Sequence, residues 1–410
     1  MTFIKKIYFL AIIFILLSTP ILYPLTSQAA NSIKEVQIPD SLIPGIGHLL
    51  NLVTPDKNVT FDPKLVKDIM EFVIVPKENN LLYTDKSIGD SSAYYEIDIN
   101  KTLSDILKMG YSPDIPSYIL SPSSIRLSYW VGIDGENIKP VHYETFLPKL
   151  ETPIVKKGIE YVHNTPDIHT GAYYAYNSYR TIILYKYKGQ NVFISLSKQK
   201  DISDVGKKGV VLGSDTHWDY LYSDVTGLST TGLGWVKSYM YDSYSITIFY
   251  ETNPDKHLVK CAIFKWLNAG WSKLNVVKNQ HIHNGLVRYA KTFKTIIESD
   301  DLPDYEKMAL AFSKINNLTK KDLRIKANFH LTDLKDRYKN NTEFNQGWIT
   351  DLFKENKYLN RLNKIELQSL VSLEYLKYVL GDNKTTETFF DFHAKSNKGL
   401  DNNRIIAFQH

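Results

Sequence analysis

His281-Ile282-His283 is the most metal-like pair in the chain. On an extended segment, side chains two residues apart point to one face, so both imidazoles could reach a single divalent ion. A third ligand would have to come from His163, His169 or the His217-Trp218-Asp219 triplet, because such sites need three or four groups in defined geometry. The competing reading, a polar entry to the helix that follows, is preferred. No cofactor is therefore expected, and a divalent metal held by His281 and His283 is the alternative.

Ser195–Asp242 is the stretch richest in groups able to bind or to move protons. Asp201, Asp204, Asp215, His217 and Asp219 fall there between predicted strands, in loops of the kind that carry catalytic groups on a rigid scaffold. Two of these carboxylates, or one with His217, would suit acid–base hydrolysis if the fold brought them together across a cleft. Trp218, Tyr220, Tyr222 and Trp235 add flat aromatic faces suited to gripping a sugar or an extended peptide. Both assignments compete with plainer ones. Asp and Ser favour turns through local hydrogen bonds, and Tyr fills half-buried strand faces.

Other patterns carry no chemistry. Ser195-Leu196-Ser197-Lys198 matches S-x-x-K in letters, but that motif works by opening a helix, and here the residues alternate like a strand. The chain has no G-x-S-x-G elbow, phosphate-binding G-x-x-x-x-G-K-[ST] loop or H-E-x-x-H zinc motif. Its one cysteine, Cys261, excludes an internal disulfide and a Cys-rich zinc module, and its apolar setting predicts a buried, inert thiol.

The elements that must position these residues change period along the chain. Asp62-Pro63 predicts a helix start, with Leu65, Val66, Ile69, Met70 and Val73 forming its apolar stripe up to Pro76. From about 91 to 267 the period is two, with hairpins expected around Lys188-Gly189-Gln190 and Asn253-Pro254-Asp255. Helical periodicity returns from about Asn284, then after Leu302-Pro303, and again from Lys364, where Asn363 and Glu366 make a capping box. The predicted fold class is α+β: a central, largely antiparallel sheet region followed by a helical C-terminal region. The expected division is 30–283, mainly β, and 284–410, helical and packed on it, with a poorly periodic tail from about 385.

The first residues set the destination. Lys5 and Lys6 precede the apolar run Ile7–Leu17, and Ser27-Gln28-Ala29 supplies small residues for a signal peptidase. Residues 1–29 therefore read as a signal peptide, with an uncleaved anchor as the alternative, and the mature chain as exported to the periplasm or the medium. No later run is long and apolar enough to span a membrane. The formal charge of +5 over 410 residues falls by the two leader lysines, too weak a field to suggest nucleic acid as a partner. The sequence thus points to an exported ligand-binding or envelope-associated module with a glycan or peptide partner. An extracytoplasmic hydrolase with an Asp/His site, metal-assisted or not, is the alternative. Oligomeric state is not encoded in any motif.

Overall fold

A computed structural model describes residues 33–381, apart from 56, 58, 79–80, 132–140, 231–233, 342–346 and 355–356. The leader at 1–29 and the tail from 385 lie outside the described residues. The first strands are β1 (Lys34–Gln37), β2 (Leu81–Thr84), β3 (Ser91–Ile99), β4 (Ile125–Val131), β5 (Ile154–Asn164), β6 (Ala172–Tyr173), β7 (Ala175–Tyr187) and β8 (Gln190–Gln199). Then come β9 (Lys207–Val211), β10 (Tyr220–Thr226), β11 (Leu228–Thr230), β12 (Gly234–Val236), β13 (Tyr239–Asn253), β14 (Leu258–Trp271) and β15 (Leu274–Asn275).

Ten of these form one sheet in the order β1-β2-β3-β14-β13-β8-β7-β5-β4, with β15 added to β14. Every pairing from β2 across to β4 is antiparallel. Both expected hairpins are present. β7 and β8 join through Lys188 and Gly189, both at positive φ, the conformation a tight two-residue hairpin turn demands. β6, β9 and β10 make a small separate sheet, and β11 pairs with β12.

Because strand side chains alternate, the register divides the central strands into two faces. One face carries Phe264 and Trp266 of β14, Ile246 and Ile248 of β13, Ile194 and Leu196 of β8, and Ile183 and Tyr185 of β7, all buried. Two helices cover this face: α1 (Ile43–Val53) and α2 (Lys67–Ile74). Val66, Ile69, Met70 and Val73 of the predicted stripe are buried there, whereas Leu65 is exposed. The α2 helix begins later than Asp62-Pro63, after a turn over 63–66 at whose start the Asp62 carboxylate accepts the Lys64 N–H. Each large apolar side chain in this layer contributes roughly 1.5–3 kcal/mol by leaving water.

The opposite face is covered by α3 (Leu103–Tyr111) and α4 (Asn279–Ile297). The Thr102 hydroxyl and Asp105 cap α3 reciprocally. Four more helices include α5 (Tyr305–Asn317), α6 (Lys320–Tyr338), α7 (Gly347–Phe353) and α8 (Lys357–Arg361). The last described helix, α9 (Lys364–Val379), has the expected Asn363–Glu366 capping box. It packs on α5 and α6 and touches β4. Among the described residues, no helix is long and apolar enough to cross a membrane. The architecture is α+β, as the change of period predicts.

Candidate functional site

The covered face of the sheet changes character along its strands. Pairing register puts Cys261, Phe249, Phe193 and Leu184 side by side in one row, all buried and apolar. Two residues further along lie Ile263, Thr247, Ser195 and Ile182, and two further still Lys265, Ser245, Ser197 and Arg180. An apolar row therefore gives way to a mixed row and then to a polar one. Central strands rarely bury such groups, since each costs free energy unless hydrogen-bonded.

That polar end of the face is the floor of a cavity of about 1320 Å³. Tyr111 of α3 and Tyr289 and Phe293 of α4 stand over it, with Tyr176, Trp130 and Trp271 among its walls. The Trp130 ring lies over Gly158, where an added Cβ would sit 1.9 Å from a ring carbon, so only glycine lets the indole lie flat on the strand. Burial pushes the Tyr143 and Tyr176 hydroxyls up to about 12, so both stay protonated donors near neutral pH.

The floor is almost fully paired internally. Arg180 donates from Nε to Glu160 at 2.8 Å and from a terminal nitrogen to the Ser195 hydroxyl at 3.1 Å. The Ser197 and Ser245 hydroxyls share a hydrogen bond of 2.6 Å. Lys265 is the exception. Its ammonium donates to the Ser243 hydroxyl at 2.5 Å, and among the described residues no carboxylate lies within salt-bridge distance of it. The side chain is half-buried because it faces the cavity, yet desolvation, reinforced by the nearby Arg180 charge and only partly offset by Asp242, lowers the ammonium to about 8.

The residues expected from sequence to form a site lie mostly elsewhere. His281 borders the cavity, but His281-Ile282-His283 is helical, because the buried stripe Ile282, Leu286, Ala290 and Phe293 starts α4 at Asn279. Residues two apart on a helix diverge, so His281 is exposed while His283 is buried against the Tyr95 ring. Asn284, where the helical periodicity is expected to begin, lies inside this helix and accepts a hydrogen bond from Gln280. Among the described residues there is no group of three or more His, Cys, Asp or Glu able to hold a metal.

Asp201, Asp204 and His217 are exposed. Asp204 borders a second cavity of about 140 Å³ together with His163, whose ring burial and the neighbouring Arg126 and Lys207 charges push down to about 2. Asp215 accepts from Arg288 Nε at 2.5 Å and from the Tyr220 hydroxyl at 3.1 Å. Asp219 is fully buried and held by Lys377 at 2.7 Å, the Tyr338 hydroxyl at 2.7 Å and Arg337 at 2.8 Å. Trp218, Tyr220 and Tyr222 are buried in packing, Tyr222 beneath the Arg126 guanidinium at 3.8 Å. The Trp235 side chain lies outside the described residues, though its backbone pairs with Ser229. Fold and register thus bring together Glu160, Arg180, Ser195, Ser197, Ser243, Ser245 and Lys265, none of which the loop-based reading selects. The signal present in sequence was polar residues at alternating strand positions: Ser195/Ser197 and Ser243/Ser245/Thr247. No protein-family model, curated protein or solved structure matches the chain.

Proposed function

We propose that the chain is an exported ligand-binding protein whose ligand is an anionic small molecule with an apolar or aromatic body. The observation that carries this reading is Lys265: an ammonium without a carboxylate partner on the floor of a large cavity. Asp242 acts on this ammonium only from beyond salt-bridge distance, and a bound carboxylate, sulfonate or phosphate would supply a countercharge in direct contact through a charge-assisted hydrogen bond. Tyr111, Tyr289, Phe293, Ile263 and Leu286 line the rest of the space and suit an apolar tail. The volume exceeds that of a usual drug-sized pocket, which favours an elongated ligand.

A small molecule has more support than an extended glycan or peptide, because the aromatics that would grip a polymer, Trp218, Tyr220 and Tyr222, are buried in packing. The Asp/His hydrolase has less support as well, since Asp215 and Asp219 are tied into ion pairs and neither lines the cavity. Export is supported by the leader-like segment 1–29.

Calorimetric titration with decanoate and with 1-anilinonaphthalene-8-sulfonate tests the reading. One-site binding is expected, weakened about 10–100-fold in Lys265→Met, the value of one charge-assisted hydrogen bond. Equal binding of decanoate and neutral decanol, or unchanged affinity in the variant, would overturn it.

A further inference from the structure

The Lys265–Ser243 contact has a second chemical meaning. Of the serines on this face of the sheet, Ser197 and Ser245 bond each other and Ser195 receives Arg180. The Ser178 hydroxyl donates to the Lys198 carbonyl. Ser243 is left with Lys265 as the partner of its hydroxyl, both groups border the cavity, and they belong to adjacent strands of one hairpin. The backbone beside Ser243 departs from regular pairing between Met240 and Asp242, and the Asp242 carboxylate accepts the Ser243 N–H at 2.8 Å. A hydroxyl within hydrogen-bond reach of an amine in a cavity is the arrangement of an activated nucleophile and its base.

We propose that Ser243 and Lys265 form a catalytic dyad that cleaves carboxylic esters carrying an apolar acyl group within the cavity. The inference rests on the binding reading, because the acid released belongs to the same ligand class. In the first step the neutral Lys265 amine takes the Ser243 proton as Oγ bonds to the ester carbonyl carbon, and the π pair moves onto the carbonyl oxygen. Collapse reforms the carbonyl and breaks the bond to the alcohol oxygen, which leaves with the proton held by Lys265. Water then attacks the acyl-serine, gives a proton to Lys265, and Ser243 departs and recovers it. Ester and water become acid and alcohol, with no oxidant or reductant. Burial first and the Arg180 charge second keep the amine readily deprotonated, against the opposing pull of the Asp242 carboxylate.

Lys198, the lysine that matches S-x-x-K in sequence, has no part in this. It follows Ser197 by one residue, so it lies on the other face, where its ammonium sits 5.4 Å from the Tyr244 ring centroid.

The test treats the mature chain with an alkyl fluorophosphonate and maps the adduct by mass spectrometry between pH 6 and 9.5. An adduct on Ser243 is expected, forming about tenfold faster per pH unit up to an inflection near the Lys265 value of about 8 and then levelling. Ser243→Ala, with wild-type melting, should show no adduct. Lys265→Arg keeps the charge but not the base, and should slow labelling by at least about 100-fold at every pH. Labelling independent of Lys265, or equal labelling of Ser243→Ala, would overturn the dyad. If the wild type forms no adduct yet binds decanoate, the dyad falls and the binding reading stands. If it binds no decanoate either, both fall.

Discussion

Replacing Lys265 by Met should make the protein more stable while impairing its binding. Burial lowers the ammonium from 10.5 to about 8 in the folded chain, so the folded state holds this proton less tightly than the unfolded one. Each pKa unit is worth about 1.4 kcal/mol, so keeping the group charged at pH 7 costs the fold about 3 kcal/mol. Methionine fills similar space without the charge, and the gain at pH 7 should lie between about 1 and 3 kcal/mol, because the cavity face retains some solvation and the buried Ser243 hydroxyl loses its partner. In a chain of this size that is a rise in Tm of roughly 1–5 °C. The sign follows from proton linkage. Below pH 8 both states bind the proton and the penalty is complete. From about 8 to 10.5 the unfolded state binds more protons, wild-type stability rises with pH, and the gap to Lys265→Met closes. Urea denaturation of both proteins at pH 7, 9 and 10.5 reads this directly. A variant less stable than wild type at pH 7, or a gap that does not shrink with pH, would refute the reasoning.

Four further outcomes are expected. Lys377→Met leaves the buried Asp219 and Glu374 carboxylates without their shared cation and should cost about 3–5 kcal/mol in urea denaturation. Burial pushes the Glu374 carboxyl up, but the adjacent His330 and Lys377 outweigh it and hold it well below its ordinary range. Stability from this group is therefore present above about pH 4.3 and lost as pH falls towards its folded value, and acid melting of Glu374→Gln should show a smaller acid-induced loss. Gly158→Ala should displace the Trp130 ring from the cavity wall, costing about 1–3 kcal/mol and altering decanoate affinity in the same titration. N-terminal sequencing of the secreted product should begin at Ala30, following cleavage after Ser27-Gln28-Ala29.

The sheet, its hairpins and the capped helices were legible because their causes are local. Lys188-Gly189 turns the chain, Asn363 and Glu366 start α9, and apolar residues at alternating positions face the core. The α6 helix was harder to read, since Ile325 and Phe329 are exposed while His330 is buried beside Glu374, 3.0 Å away. Its apolar pattern does not mark the face that tertiary packing selects.

The candidate site was hidden for a different reason. Ser243 and Lys265 are polar residues inside strands, and in sequence each resembles an ordinary solvent-facing position of an antiparallel sheet. By itself the chain determined which residues alternate, where turns fall and where helices start, because backbone sterics and neighbouring side chains act over a few residues. Only tertiary structure decided that α3 and α4 roof the polar face, and only strand register set Lys265 beside Ser243 and in one row with Arg180. Burial and pairing depend on segments far apart in the chain, and it is burial that turns an ordinary lysine into a poised one.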